Sequence, residues 1–254
     1  MKNQSPNILA VIVNWNNARY TVNAIQSLDR NQYNNISIIV ADNGSTDKSI
    51  DLIKQLQQNV KIISIGSNIG YGAAINYVYN REDVEKYDLF LVLNNDVEFD
   101  SNFISKLVEV SSNYGSGNIF GSKIMYLKDK NKIWYLGSVV RAGAFLIKHR
   151  FIRHDNFKIN SSFETDYITG CAMMFYIEDF KKLYFDESFK MYGEDVDICL
   201  RARSMGFKCI VEPESVLFHA VSASYASSFS LRKNIMKLIS RIKIIYRNAM
   251  GVYS

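Results

Sequence analysis

Short apolar runs and amphipathic stretches alternate along the first hundred residues. Residues 8–13 (ILAVIV), 36–42 (ISIIVAD), 60–65 (VKIISI) and 88–94 (DLFLVLN) are nearly continuous apolar runs rich in β-branched side chains. Runs of that length predict strands buried on both faces, as in a parallel sheet. Residues 19–31, 46–58 and 70–80, which lie between them, predict helices. Ser45 or Thr46 is the expected cap of the second helix, with Asp47 in its first turn. Strand and helix in alternation predict βαβ units and an α/β domain on a mostly parallel central sheet flanked by helices.

Ligands of such sheets bind outside the carboxyl ends of the strands, and here every such end is polar. The four strands run into Asn14-Trp15-Asn16, Asp42-Asn43-Gly44-Ser45-Thr46-Asp47, Gly66-Ser67-Asn68-Ile69-Gly70 and Asn94-Asn95-Asp96. One such tripeptide is explained as a turn, because Asn and Asp side chains mimic turn backbone. Four of them on one rim predict a site for a polar ligand. Neither G-x-G-x-x-G after the first strand nor G-x-x-x-x-G-K-[ST] occurs, so the usual phosphate cradles are missing. A lone carboxylate at a strand end suits Mg²⁺, which takes one or two carboxylates and completes its shell with substrate phosphates and water. Asp96 is placed for that role.

Composition narrows the picture. The chain has 254 residues, of which 48% are hydrophobic, enough for a sizeable core, and only 2 Pro, too few for a Pro-rich linker. Cys171, Cys199 and Cys209 are odd in number and form no C-x-x-C pair, which argues against a disulfide framework or zinc site and for a reducing compartment. No proper signal peptide opens the chain, and no apolar stretch approaches the roughly 18 residues of a membrane span. The expected location is the cytoplasm.

The segments VIVNWN (11–16), DNGSTD (42–47), NIGYGAAIN (68–76), LNNDV (93–97), TGCAMMF (169–175), FDESFKMYGEDVDICLRARSMGF (185–207) and VEPESVLFHAVSAS (211–224) span about four-fifths of the chain. Together, in this order, they resemble the family 2 glycosyltransferases of the GT-A fold, in their rhamnosyltransferase-like subgroup. The resemblance implies a Rossmann-like domain over 1–228, with a nucleotide-binding half (1–98) and an acceptor and catalytic half (99–228). It implies that Asp42 binds the pyrimidine base of a UDP- or dTDP-sugar, with Asn14 and Trp15 in the same pocket and Asn68 and Gly70 passing close to the nucleotide. LNND would be the family's D-x-D variant, with Asn94 or Asn95 on ribose or sugar and Asp96 on Mn²⁺ or Mg²⁺. His219, in an H-x-x-S-x-S pattern ending at Ser224, would be the second metal ligand. Asp195 would be the general base of an inverting transfer, Glu194 would orient it or bind acceptor, and Thr169, Gly170 and Cys171 would form the acceptor-side wall.

Each of these residues also has a plainer reading. Asp42 can simply cap its turn. His219, after the apolar run 216–218, can be a core histidine. Glu194 and Asp195 open a helix over 193–203, where acidic residues favour the dipole. Asp197 and Arg201, four apart, read as a structural helix pair. Cys171 reads as packing, and His149 and His154, in KHRFIRH, as a solvated loop near the acceptor.

The net charge of +5 is concentrated at the end of the chain: Arg232, Lys233, Lys237, Arg241, Lys243 and Arg247 lie in a stretch, 229–254, without Asp or Glu. Its apolar positions, including Leu231, Ile235, Leu238, Ile239, Ile242 and Ile245, have helical spacing. Either this basic amphipathic helix packs on the body with a solvated basic face, or it lies on an anionic lipid surface at the inner face of the cell membrane. A homodimer contact is the third use. The abrupt end at residue 254 reads as a shortened chain. The acceptor is expected to be a glycan, lipid-linked or protein-linked, as in surface polysaccharide or glycoconjugate synthesis. Two other classes compete. A nucleotidyltransferase would show a glycine-rich basic loop near the first strand, and none is present. A module binding membrane or nucleic acid would interleave basic residues with the rim motifs, and this rim is acidic and amide-rich, so no nucleic-acid partner is expected.

Overall fold

The computed structural model describes residues 5–31, 33–57, 60–141, 146–221 and 231–253. The first half alternates as its pattern predicts: β1 (Ile8–Asn14), α1 (Ala18–Asp29), β2 (Ile36–Asp42), α2 (Ser49–Leu56), β3 (Lys61–Ser64), α3 (Tyr71–Tyr79) and β4 (Leu89–Asn94). Strands β3, β2, β1 and β4 are neighbours in that order and pair in parallel. Every residue of β1 is buried, which is why its sequence shows no alternation.

The second half comprises β5 (Val97–Phe99), α4 (Phe103–Tyr114), β6 (Asn118–Tyr126), β7 (Ile133–Tyr135), β8 (Ser138–Arg141), β9 (Leu146–His149), β10 (Phe163–Thr165), β11 (Ala172–Tyr176), α5 (Ile177–Leu183), α6 (Glu194–Ser204), β12 (Lys208–His219) and α7 (Leu231–Ala249). The same sheet continues through it in the order β10-β12-β6-β11-β4-β1-β2-β3, with β5 added to β12 and β7 to β6. Here β6 and β12 are parallel, whereas β11 runs antiparallel to β4 and β6. That reversal positions the site. The rim where β1, β2 and β4 end is also where β11 begins, so Asn94 N–H donates to the Cys171 carbonyl at 3.1 Å. β12 ends on the same rim, with His219 opposite Val97 of β5. Strands β8 and β9 form a separate antiparallel ribbon.

The start of α2 departs from expectation. The helix begins at Ser49, after Lys48, whose side chain makes no cap bond, because Ser45 is engaged elsewhere. Ser45 Oγ donates to Asp42 Oδ1 at 2.5 Å and accepts Asn16 N–H at 2.8 Å. Asp47 accepts Asn17 N–H and Ser49 N–H, each at 2.9 Å. These bonds tie the loop after β2 to the loop after β1.

Helix α7 carries the larger correction. Its basic residues divide: Lys237 and Arg241 are exposed, whereas Lys243 and Arg247 turn toward the body. Its inward side is Ser240, Ile244 and Arg247, with Ile244 fully buried. Arg247 pairs with Asp186 and with Asp197, the latter at 2.5 Å. Lys243 Nζ stands 4.6 Å from the centroid of the Phe189 ring. The outward side is apolar: Ile235, Leu238, Ile239, Ile242, Tyr246 and Met250 are all about half exposed or more. Asp197 is the anchor. Fully buried, it accepts Arg201 Nε at 2.8 Å, as expected of the i, i+4 pair, and also Arg247 and the Tyr253 hydroxyl. Asp197→Ala removes the shared acceptor of Arg201, Arg247 and the Tyr253 hydroxyl and leaves a buried void. It is expected to cost about 3–5 kcal/mol in urea unfolding, and an unchanged midpoint would refute this role.

Candidate active site

A cleft of about 710 Å³ opens on the shared rim. It collects ten of the residues singled out from the sequence: Trp15, Asn94, Asn95, Asp96, Thr169, Gly170, Cys171, Glu194, Asp195 and His219. The four others, Asn14, Asp42, Asn68 and Gly70, do not line it.

The three residues of Asn94-Asn95-Asp96 turn in different directions. Asn94 Nδ2 reaches Cys171 Sγ at 3.6 Å. Asn95 Nδ2 donates to Thr21 Oγ1 at 3.1 Å, and Thr21 donates onward to Asn14 Oδ1 at 2.5 Å. Asn14 donates in turn to Asp42 Oδ1 at 2.9 Å and Ser45 Oγ at 3.0 Å. Asn14 and Asp42, both nearly inaccessible, thus form a polar string beneath the cleft floor. Asp42 Oδ2 also accepts Ser45 N–H at 3.1 Å. Asn68 and Gly70 belong to a loop held by Asn43, whose Oδ1 accepts Ile69 N–H at 3.0 Å. Gly70, with φ of 103°, lies where a Cβ would come within 2.9 Å of the Lys190 carbonyl. Its conformation and that close approach both demand glycine.

Asp96 points at His219, with Oδ2 and Nε2 3.2 Å apart. Both are more than nine-tenths buried. Burial opposes charge on the imidazole, yet the neighbouring Cys171 and Asp96 outweigh it and hold the pKa well above the usual histidine value. Cys171 Sγ lies 3.8 Å from His219 Nδ1, so this thiol touches the site and is not packing alone. Trp134 stacks edge-on to the imidazole, ring centroids 4.7 Å apart. A carboxylate oxygen and an imidazole nitrogen at this separation, facing a cleft, fit two positions in the shell of Mn²⁺ or Mg²⁺. Among the described residues no group of three or more His, Cys, Asp or Glu side chains forms a metal cage, so the other positions would fall to phosphate oxygens and water. Ser222 and Ser224 of the H-x-x-S-x-S pattern lie outside the described residues.

Across the cleft, Asp195 sits in the first turn of α6. Its Oδ2 accepts Gly170 N–H at 3.0 Å and its Oδ1 accepts Val196 N–H at 2.9 Å. Burial raises its pKa, against the effect of those bonds. Burial and then the charge of Asp195 push Glu194 up to about 8, and Glu194 Oε2 is buried with no hydrogen-bond partner among the described residues. Tyr71 lies on the same cleft between the carboxylates of α6 and the Asp96–His219 pair, its hydroxyl donating to the Gly170 carbonyl at 2.6 Å. An acceptor for a proton therefore faces an acid–imidazole pair across a single cleft.

Four contributors escaped the sequence reading: Thr21, Tyr71, Trp134 and Tyr167. None belongs to a motif with a chemical signature, although Tyr71 lies inside NIGYGAAIN. His149 is also corrected. It is on β9, packed edge-on against Trp134 and Tyr135, and its Nε2 meets the Tyr167 hydroxyl at 2.6 Å. Burial lowers its pKa. His154 is exposed, as expected.

Residues 9–183 match the family model described as glycosyl transferase family 2. The chain is 25% identical over 207 residues to the N-acetylglucosaminyl-diphospho-decaprenol L-rhamnosyltransferase of Mycobacterium tuberculosis, covering 72% of this chain and 66% of that relative. It is 43% identical over 72 residues to an uncharacterized glycosyltransferase of Nostoc sp., covering 27% of this chain and 22% of that one. Among solved structures it superposes on GalNAc-T7 with UDP, GalNAc and Mn²⁺ at a TM-score of 0.68 and 16% identity, over 86% of this chain and 44% of that one. It superposes on the mannosyltransferase PcManGT from Pyrobaculum calidifontis, in complex with GDP-Man and Mn²⁺, at 0.67 and 13% identity, over 96% and 65%. These likenesses establish the GT-A fold. The chain thus spans just under two thirds of the mycobacterial relative and less than half of GalNAc-T7.

Proposed function

The chain belongs to glycosyltransferase family 2, and from that premise we propose that it transfers a sugar from a UDP- or dTDP-sugar to a hydroxyl of a lipid-linked glycan acceptor, with inversion. The observation that carries this reading is the placement of Asp195 and the Asp96–His219 pair on one cleft of about 710 Å³. Asp195 takes the proton from the acceptor hydroxyl as its oxygen attacks the anomeric carbon. The Gly170 and Val196 N–H groups fix the carboxylate in orientation. Glu194, neutral below about pH 8, has a buried oxygen without a hydrogen-bond partner among the described residues, with which to meet a sugar hydroxyl. Asp96 and His219 would hold Mn²⁺ or Mg²⁺, which when bound neutralises charge on the departing diphosphate. Trp15, half exposed at the cleft edge, is available to stack on the base. Asp42 would reach a pyrimidine only if the bonds it accepts from Asn14 and Ser45 were released, so its part in base recognition requires a rearrangement on binding.

Membrane contact belongs to the same reading. No helix among the described residues is long and apolar enough to cross a bilayer. The outward stripe of α7, flanked by the exposed side chains of Lys237 and Arg241, supports contact with an anionic surface instead. The cysteines are unpaired and buried, which supports the cytoplasmic side. The direct test is calorimetric titration with UDP, dTDP, GDP and CMP, each with Mn²⁺ and with EDTA. Binding of UDP or dTDP that requires Mn²⁺ is expected. Preference for GDP, or no nucleotide binding at all, would refute the reading.

A further inference from the structure

A second basic surface lies outside the C-terminal helix. Residues 127–132 (LKDKNK) and 148–158 (KHRFIRHDNFK) carry seven Lys or Arg against two Asp. Backbone bonds lay the two segments side by side. Asn156 N–H donates to the Asn131 carbonyl at 2.7 Å, Ile133 N–H to the His154 carbonyl at 3.0 Å, and Arg153 N–H to the Ile133 carbonyl at 2.7 Å. Lys132 pairs with Asp155 at 2.6 Å, which cancels one charge of each sign. Lys128, Arg150 and Arg153 are exposed and form no ion pair among the described residues.

The same surface carries apolar side chains that the body does not cover. Phe151, Ile152 and Phe157 are 38%, 43% and 37% exposed. The rings of Phe151 and Phe157 pack edge to face, centroids 5.0 Å apart, so they form one apolar knob. The backbone is bent to present it. Phe151 and Arg153 have φ of 59° and 65°, the left-handed region that residues other than glycine rarely adopt. His154 N–H closes the turn onto the Phe151 carbonyl at 3.0 Å. Strain of this kind concentrates at functional sites.

An apolar knob ringed by unpaired cations matches an anionic bilayer, which offers phosphates to the cations and an acyl boundary to the rings. Nucleic acid is the competing polyanion. It calls for ring faces open to stack on bases, and here the two rings pack on each other. The knob also adjoins the outward stripe of α7. Ile147 of β9 lines a cavity together with Leu238 of that stripe, and Arg150 follows three residues later, about 10 Å along the chain. On its other side the surface reaches the active cleft, where Leu127 N–H donates to the His219 carbonyl at 2.9 Å.

We infer that this knob is a second site for anionic lipid, formed by two loops that carry no part of the reaction. Phe151, Ile152 and Phe157 enter the headgroup boundary, and Lys128, Arg150 and Arg153 meet the lipid phosphates. The site is separate from the contact proposed for α7 and adds to it. Two adjoining contacts fix the orientation of the protein on the bilayer, which one helix lying on the surface does not.

The test is sedimentation with vesicles of phosphatidylglycerol and phosphatidylcholine, against vesicles of phosphatidylcholine alone. Wild-type protein is expected to favour the anionic vesicles by at least about tenfold. Arg150→Gln/Arg153→Gln is expected to weaken that binding about 30-fold, from about fivefold for each cation at an anionic surface. Phe151→Asn/Ile152→Ser, in which Asn suits the left-handed backbone, is expected to lose at least about tenfold. Both variants should keep the wild-type urea midpoint and the wild-type Mn²⁺-dependent affinity for UDP or dTDP, which tests the transferase reading separately. Ile242→Glu tests the α7 contact. Loop variants that sediment like wild type would overturn the inference and leave α7 as the contact. A loss in the loop variants with wild-type binding by Ile242→Glu would uphold it and remove α7. Wild-type protein that stays in solution with both kinds of vesicle would overturn both. Single-stranded DNA held more tightly than the anionic vesicles, and released by Arg150→Gln/Arg153→Gln, would assign the knob to nucleic acid and overturn the inference.

Discussion

Asp195→Asn is expected to lower the rate of sugar transfer by about 10²–10⁴-fold and to leave Mn²⁺-dependent nucleotide affinity unchanged. The amide is nearly isosteric and keeps an oxygen for one of the two N–H groups that Asp195 now accepts, from Gly170 and Val196. It cannot take a proton from an incoming hydroxyl. A wild-type transfer rate in this variant would remove Asp195 from the mechanism. The pH profile provides a second signature. The base works as carboxylate, so the rate rises with pH as Asp195 loses its proton. Burial raises that pKa, which moves the ascending limb above the ordinary carboxylate range. Glu194, pushed up to about 8 by burial and by the charge of Asp195, adds an inflection there in the opposite sense if its proton is needed to hold the acceptor. Glu194→Gln should abolish that upper inflection and preserve the lower limb. A profile identical to wild type would show that Glu194 does not act on the reacting groups.

The reach of the sequence follows from the kind of force that fixes each part. Strands β1 and β4 are legible because a doubly covered strand must be apolar throughout, and their ends are legible because the polar residues begin there. Asp96, Asp195 and His219 could be named because each falls within a short motif at a strand or helix end. The aromatic wall could not. Trp134 lies on a three-residue strand and His149 on a four-residue one, too short to show a period, and their meeting depends on how β7 and the β8–β9 ribbon fold back. Helix α7 teaches a different lesson. Its spacing gave a stripe correctly, but spacing does not say which side faces the body. That was decided by Asp186 and Asp197, more than forty residues earlier in the chain, whose buried charges require Arg247. Asp42 shows the same limit at short range: its neighbours Asn14 and Ser45 satisfy it internally, and a string of side-chain bonds across two loops leaves no mark in either segment alone.

Asp96→Ala is expected to weaken Mn²⁺-dependent binding of UDP or dTDP by about 100-fold or more, because even partners one shell away from a metal ligand change affinity by 10–100-fold. The deletion removes the anionic member of the pair and leaves His219 facing Cys171, 3.8 Å from the imidazole Nδ1. His219→Ala should be milder, since the carboxylate and the diphosphate oxygens are the harder donors and Mn²⁺ and Mg²⁺ prefer oxygen. The ratio between the two variants is therefore informative. It should widen when Mg²⁺ replaces Mn²⁺ if His219 contributes mainly to Mn²⁺, the softer ion, and stay unchanged if His219 is not a ligand. Electron paramagnetic resonance of bound Mn²⁺ reads the loss without any turnover. Nucleotide affinity that is equal in wild type and Asp96→Ala, or that survives EDTA in both, would return Asn94-Asn95-Asp96 to the role of an ordinary strand-ending turn. The three divergent contacts of that tripeptide argue otherwise. Asn94 and Asn95 spend their amides on Cys171 and Thr21, and only Asp96 is aimed at a residue from the far end of the chain on the same cleft.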